Sequence, residues 1–210
     1  FPDYIYLASY LLAALIQIIN FVILIFIKID KPPPNKNLAR PLSNILVQKN
    51  LMIAILAAAV GYSLMSFIMT ATPLQIVNVC KLGDEVSATV IQWHVIAMFA
   101  PSFFTGFIIM KFGNKNVMLV GVLLYVISIS FTIIGQTFLN FWISLFLCGL
   151  GWNFLYVGGS DIIAKSASPE ERPKVQGVTD FIIFTFVATG SFLAGSLHTT
   201  LGWEVMMFYT

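Results

Sequence analysis

The apolar runs in this sequence are as long as a bilayer is thick, and this limits the fold more than any other feature. Tyr4–Ile27, Leu51–Val77 and Val117–Gly135 are three of them. A helix needs about 20 mostly apolar residues to cross the hydrocarbon core. Charged residues make up only 10% of the 210 residues and hydrophobic residues 59%, whereas a soluble domain has about 25% charged residues. The chain is therefore predicted to be an all-α polytopic membrane protein.

The apolar runs define six complete spans and the start of a seventh. Pro73 lies inside the second span and predicts a kink there, because proline removes a backbone donor and crowds the preceding turn. The predicted spans are Tyr4–Ile27, Leu51–Val77, Val86–Met110, Val117–Gly135, Phe138–Ile162 and Val175–Leu197, followed by a segment that begins near Trp203.

Basic residues mark one side of the membrane. Ten of the eleven lysines and arginines fall in residues 28–50, 111–115 and 165–174, whereas the alternate loops hold only Lys81. The positive-inside rule makes the first group of loops cytoplasmic. Residues 1–27 then form one transmembrane helix, residues 28–50 a cytoplasmic connector and residues 51–210 a transmembrane bundle. The connector is predicted to hold a short amphipathic helix starting near Pro41, with apolar residues at helical spacing: Leu38, Leu42, Ile45 and Leu46.

The turn between the third and fourth spans has a distinctive pattern, TGFIIMKFGNKNVMLVG. Gly106 is predicted to permit a close helix approach, and Gly113 to allow a left-handed backbone in the turn. Lys111 and Lys115 are placed at the headgroup level as topology anchors. A basic turn of this kind is common in polytopic proteins, so the charge alone has no specific functional meaning.

The spacing of this turn resembles the G-x-x-x-D-R-x-G-R-R loop of the major facilitator superfamily. Met110 stands where the family has an acid, and Asn114 replaces the first basic residue of the closing pair. The preceding helix and connector place the turn between helices eight and nine of that family. The cytoplasmic turn SPEER, and the stretches TATPLQ, IQWHVIAMFAPSFFTG and GLGWNFLYVGG, are also similar to bacterial drug- or metabolite-type members.

This resemblance implies an incomplete superfamily-type bundle, from helix six to the start of helix twelve. It also implies a secondary transporter of the bacterial inner membrane that moves a small solute by alternating access, with proton coupling as a hypothesis. Its partners would be the solute, the bilayer and a missing N-terminal half. The alternative from another class is a non-transporting relic or a structural membrane partner.

Polar residues inside spans are costly and are candidates for the solute or proton pathway. We select Gln92, Trp93, His94, Asn153 and Asp180. His94 could instead be a structural histidine, Asn153 a bond to a neighbouring helix, and Asp180 a structural group. Asp161 lies one turn from Lys165 and could form a plain ion pair with it. A sharper hypothesis pairs Asp161 with Lys111 or Lys115. This pair would tie the turn between the third and fourth spans, which we call the gate-loop turn after the superfamily motif it resembles, to the fifth span.

The ionisable residues are dispersed, and their spacing matches no catalytic motif. We therefore expect no enzyme activity, cofactor, metal site or nucleic-acid partner.

Overall fold

The computed structural model describes residues 7–28 and 40–208 of the 210-residue chain. It consists of two compact units, residues 1–38 and residues 39–210. The described part of the first unit is one helix, α1 (Leu7–Phe26), none of whose residues is buried within this unit. Its length of 20 residues corresponds to about 30 Å, the thickness of a hydrocarbon core.

The second unit is a bundle in which helices follow one another through short turns. It begins with a single-turn helix after Pro41. Leu38, the first apolar residue of the predicted amphipathic helix, lies outside the described residues. Its helices are α2 (Leu42–Leu46), α3 (Lys49–Leu74), α4 (Asp84–Phe99), α5 (Ser102–Phe112), α6 (Asn114–Ile134), α7 (Phe138–Ser166), α8 (Arg172–Leu201) and α9 (Trp203–Phe208).

The helix lengths confirm the membrane prediction. Within residues 7–28 and 40–208, five helices are long and apolar enough to cross a membrane, or six if the bent pair α4–α5 is one span. The fold is that of an incomplete, all-α membrane bundle.

The third predicted span is not a continuous helix. The axes of α4 and α5 differ by 45°, and the break falls at Ala100 and Pro101. Pro101 has no N–H to donate to the carbonyl one turn before it, and its ring crowds that carbonyl. The second span behaves differently at its proline: α3 continues through Pro73 and then widens into a π-helical turn, Gln75–Val79.

The α7 helix is central to the bundle. It packs along α6, α4 and α3, while α3 also packs along α8. Glycine allows the closest of these approaches, since a Cβ added at Gly149 would lie 2.6 Å from the carbonyl oxygen of His94 on α4. The buried side of α7 contributes Phe141, Leu145 and Cys148 to the core. Large apolar side chains such as Phe103 and Phe107 remain exposed on the outside of the bundle, where a bilayer would solvate them.

The two ends of this bundle differ in chemistry. One end, which we call the connector end, carries α2, the turn between α5 and α6, and the turn between α7 and α8. There Ile45 packs in an apolar cluster with Leu51, Ile163 and Val175. The opposite end carries an uncharged hydrogen-bonded cluster: Gln75, Cys80, Gln136 and His198.

Candidate functional site

Five aromatic side chains from four helices meet midway along the second unit, and we call them the aromatic cluster. Trp152 and Tyr156 of α7 stack with ring centroids 5.0 Å apart and ring planes 9° apart. Tyr62 of α3 meets both rings edge-on, at 5.1 and 5.4 Å. Phe99 at the end of α4 lies 5.8 Å from Trp152, and Phe184 of α8 lies 5.8 Å from Tyr62.

The aromatic cluster has a buried base and an exposed rim. Trp152 is 5% exposed, whereas Phe99 and Phe184 are 57% and 51% exposed. The indole Nε1 of Trp152 is buried and has no hydrogen-bond partner among the described residues, although buried polar groups are nearly always paired. The cluster therefore has exposed rings at its rim that are suited to stacking, and a buried, unpaired indole N–H at its base.

Asp180 lies beside the aromatic cluster, one helical turn before Phe184 on α8. Its side chain is partly exposed and interacts electrostatically with Tyr156. Gln176 Nε2 donates to Asp180 Oδ1 at 3.5 Å, a long contact. Of the polar residues selected from the sequence, Asp180 is the one that the structure places next to exposed aromatic rings.

Asn153 lies at the break between α4 and α5 and is fully buried. Its Nδ2 donates to the carbonyl oxygen of Met98 at 2.7 Å and to the hydroxyl of Ser102 at 2.6 Å. Its Oδ1 accepts from the hydroxyl of Thr105 at 2.6 Å. Both N–H groups of the side chain therefore have partners on the broken span, and the bonds reach both sides of the break.

The adjacent residues Gln92, Trp93 and His94 do not form one site. His94 faces α7, is fully buried, and its Nδ1 lies 2.6 Å from the carbonyl oxygen of Leu145. Because a carbonyl only accepts, Nδ1 is the protonated nitrogen. Nε2 is buried and has no partner within residues 7–28 and 40–208. Gln92 and Trp93 point to the exposed side of α4, where Trp93 meets Trp142 at 5.9 Å.

The gate-loop turn lies at the connector end, and its two glycines behave differently from each other. Gly113 has a φ of +80° and forms the junction of α5 and α6, as the predicted left-handed turn requires. Gly106 is exposed, and a Cβ there would meet nothing within 4 Å in the part of the chain that the structure describes, so no described helix approaches closely at this glycine. Lys111 and Lys115 are exposed, and the Lys111 ammonium lies 5.2 Å from the Phe112 ring centroid.

Asp161 does tie this turn to α7, but through a different residue from the predicted lysines. Its Oδ2 accepts from Asn114 Nδ2 at 2.6 Å and from Lys165 Nζ at 2.6 Å. The ion pair with Lys165 is the plain alternative raised by the sequence, and the link to the turn is an amide–carboxylate bond. Asn114, selected from the sequence only as a departure from the motif, is thus a contact residue.

The aromatic cluster was not predicted from the sequence. A partial signal exists, since Trp152 and Tyr156 are four residues apart in GWNFLY and must share one face of a helix. Tyr62, Phe99 and Phe184 come from three other helices, and only the packing of α3, α4 and α8 brings them together. The hydrogen-bonded cluster at the opposite end was also missed. There, partial burial raises the pKa of the Cys80 thiol.

Comparison with known proteins identifies the family. The family model of the Major Facilitator Superfamily matches residues 74–210, and the chain belongs to this superfamily. It is 37% identical over 209 residues to the riboflavin transporter RfnT of Brucella anthropi, which covers 98% of this chain and 52% of that protein. It is 31% identical over 150 residues to the uncharacterized MFS-type transporter YddS of Bacillus subtilis, covering 70% of this chain and 34% of that protein.

A second Bacillus subtilis protein, the uncharacterized MFS-type transporter YdeG, is 30% identical over 154 residues, which is 71% of this chain and 35% of that protein. The chain spans about half or less of the length of these curated relatives. No solved structure matches it.

Proposed function

We propose that this chain is the C-terminal part of a secondary transporter that moves a small, flat aromatic solute across the membrane by alternating access. The aromatic cluster is the observation that carries the proposal. Ring faces from α3, α4, α7 and α8 converge there, and stacking on aromatic side chains favours flat conjugated rings. The missing N-terminal half would cover the exposed rim.

Riboflavin is the first solute to test, since a riboflavin transporter is similar to almost the whole chain. Its isoalloxazine ring is flat, which suits stacking on the exposed rim rings of Phe99 and Phe184. Its ribityl chain bears hydroxyl groups, and the Asp180 carboxylate beside the cluster accepts such donors. The arrangement supports a binding mode in which the ring of the solute stacks on the aromatic cluster and the ribityl chain forms hydrogen bonds with Asp180.

We further propose that the connector end faces the cytoplasm of a bacterial cell, on the basis of the distribution of basic residues. His94 is the proposed proton carrier if transport is proton-coupled. Its Nδ1–H is held by the Leu145 carbonyl, which leaves Nε2 as an unpaired base. An uptake that responds to an imposed pH gradient in the native protein, and no longer does so in His94→Asn, supports this role.

Uptake into proteoliposomes containing the full-length gene product tests the transport proposal. Labelled riboflavin is expected to accumulate inside, and excess unlabelled riboflavin to compete with it. Lumiflavin, which has the isoalloxazine ring with a methyl group in place of the ribityl chain, should compete more weakly, and ribitol, which has no ring, should not compete. Uptake that ribitol suppresses as well as riboflavin would contradict the stacking model. Complete absence of transport would favour the alternative of a structural membrane protein.

A further inference from the structure

The break between α4 and α5 is held by side-chain bonds in addition to being caused by Pro101. In a continuous helix each carbonyl accepts from the N–H four residues later. The carbonyl of Met98 instead accepts from Asn153 Nδ2, at 2.7 Å. The same nitrogen bonds Ser102 just beyond the break, and Asn153 Oδ1 bonds Thr105 in the next turn of α5. One buried side chain of α7 thus binds both arms of the bend.

The geometry points to Asn153 as a positioning residue: we propose that it fixes the angle between α4 and α5, and that solute bound at the aromatic cluster changes that angle. The first part concerns the structure alone, and the second rests on the proposed transport function. Both arms of the bend are short enough to move as units, because α5 has 11 residues and α4 has 16.

The aromatic cluster lies directly against this hinge. Phe99 is the last residue of α4, immediately before the break, and its ring meets Trp152 at 5.8 Å. Trp152 precedes Asn153 in the chain. A flat solute that stacks on the rim of the cluster therefore contacts Phe99, the last residue of α4. It also lies close to Trp152, the residue before Asn153.

The far end of α5 is the gate-loop turn. Gly113 follows α5 directly, and Asn114 bonds Asp161 across to α7. A change of angle at Pro101 moves this turn sideways relative to α7. An α-helix rises about 1.5 Å per residue, so complete straightening of the 45° bend would displace Met110 by roughly 10 Å. The hinge thus provides a physical route from the solute face to the connector end.

Electron–electron distance measurements on the full-length protein test the inference. Spin labels are placed at Met110→Cys on α5 and Lys174→Cys on α8, both exposed, in a background with Cys80→Ser and Cys148→Ala. Asn153→Ala should shift or broaden the distance by several ångströms without added solute. Thr105→Val is nearly isosteric and removes one of the three bonds of Asn153, together with the bond from the Thr105 hydroxyl to the Pro101 carbonyl. It leaves the bonds of Asn153 to Met98 and Ser102 in place and should cause a smaller change.

Ser128→Ala is the matched control. Ser128 is also fully buried and donates to a carbonyl between helices, that of Ser144 at 2.8 Å, but it joins α6 to α7 and does not touch the hinge. Its label distance should equal that of the native protein. An unchanged distance in Asn153→Ala, or an equal change in Ser128→Ala, would overturn the assignment of Asn153, whatever the solute.

Solute dependence separates this inference from the transport proposal. Saturating riboflavin should shift the distance in the native protein but not in Asn153→Ala. The variant should lose maximal uptake with little change in KM, because it loosens the hinge and leaves the rings of the aromatic cluster in place. A solute-induced shift of equal size in Asn153→Ala would refute the coupling. If riboflavin neither binds nor is transported by the native protein, the proposed solute and the coupling both fail, and the unliganded distances still decide the role of Asn153.

Discussion

Arg40 and Glu171 form a bidentate ion pair that joins the middle of the connector to the start of α8. Arg40 Nε donates to Oε1 at 2.9 Å and Nη2 to Oε2 at 2.8 Å, and the backbone N–H of Arg40 also reaches Oε1 at 3.0 Å. The Ser168 N–H donates to Oε2 at 3.0 Å. Glu171 is 5% exposed. These bonds therefore fix the chain at Arg40 within the second unit, just before α2 and its apolar contacts.

This ion pair predicts a specific loss of stability in acid. The Arg40 side chain and the Ser168 N–H lower the pKa of Glu171 to about 2, whereas a glutamate in an unfolded chain has a pKa of about 4.3. A lowered folded pKa stabilises the fold above the unfolded value, and this stabilisation disappears as pH falls through the folded value. Glu171→Gln should therefore lower the melting temperature at pH 7, and the difference from the native protein should vanish as pH approaches 2.

Thermal unfolding in detergent between pH 2 and pH 7 measures this difference. Glu85→Gln is the matched control, since Glu85 is exposed and has no ion pair among the described residues. Melting temperatures for Glu171→Gln that stay below the native values by the same amount at pH 2.5 and pH 7 would show that the ion pair is not responsible.

The aromatic cluster predicts a selective change in solute affinity. Tyr156→Leu keeps an apolar side chain but removes the ring that stacks on Trp152. An aromatic pair contributes about 0.5–1.5 kcal/mol, so KM for riboflavin should rise by roughly two- to tenfold. Uptake kinetics in proteoliposomes measure the change, and maximal uptake should vary less than KM.

Phe146→Leu provides the control on the same helix. Phe146 stacks on Trp142 at 5.5 Å, outside the aromatic cluster, so its loss removes a comparable ring contact. A rise in KM of equal size in Phe146→Leu would indicate a general packing effect, and would contradict a binding role for Tyr156.

The sequence predicted the span boundaries well because hydrophobic length is a local property. The start of α7 at Phe138 and the start of α9 at Trp203 agree with the predicted positions. The break in the third span was not predicted, although Pro101 is visible in the sequence, because a proline can be accommodated in a membrane helix, as Pro73 is in α3. What decides the outcome at Pro101 is Asn153, which lies on another helix and supplies the bonds that the break requires.

The candidate residues could be selected from the sequence, but their partners could not. Asp161 was predicted to contact the gate-loop turn, and it does so through Asn114, because in the folded turn the lysines point outward. Spacing along one helix places Asp161 near Lys165, but it does not determine which residue of a separate turn will reach the carboxylate. Which residues pair across helices depends on how each helix is rotated and packed, and a single sequence does not determine this.

The Asn114–Asp161 bond predicts that exchanging the amide and the carboxylate between these two positions preserves the contact. Asn114→Asp places a second carboxylate against Asp161, where only 2.6 Å separates the bonded atoms, so like charges should open the turn. Asn114→Asp combined with Asp161→Asn restores an amide–carboxylate pair and should recover the native state. Thiol labelling of Val117→Cys, buried just after the turn, reports opening: faster in Asn114→Asp and near native in the double variant.

The exposed Lys165–Asp161 pair gives the control for this swap. Lys165 is 69% exposed, and exposed ion pairs contribute only about 0–1 kcal/mol, so Lys165→Gln should label at the native rate. Labelling of the double variant as fast as that of Asn114→Asp would rule out the proposed contact between the turn and α7.

Gly190 predicts how closely α3 and α8 must approach. A Cβ at this position would overlap the hydroxyl of Ser63 and lie 2.9 Å from the backbone oxygen of Ser63. Because backbone cannot move aside as a side-chain end can, Gly190→Ala should destabilise the fold by about 1–3 kcal/mol, and Ser63→Ala should not rescue it. Gly195→Ala on the same helix meets nothing within 4 Å, so alanine's higher helix propensity should leave stability unchanged or slightly raised. Equilibrium unfolding of the two variants in mixed detergent micelles measures the difference, and equal stabilities would show that α3 and α8 are less tightly packed at Gly190 than this geometry requires.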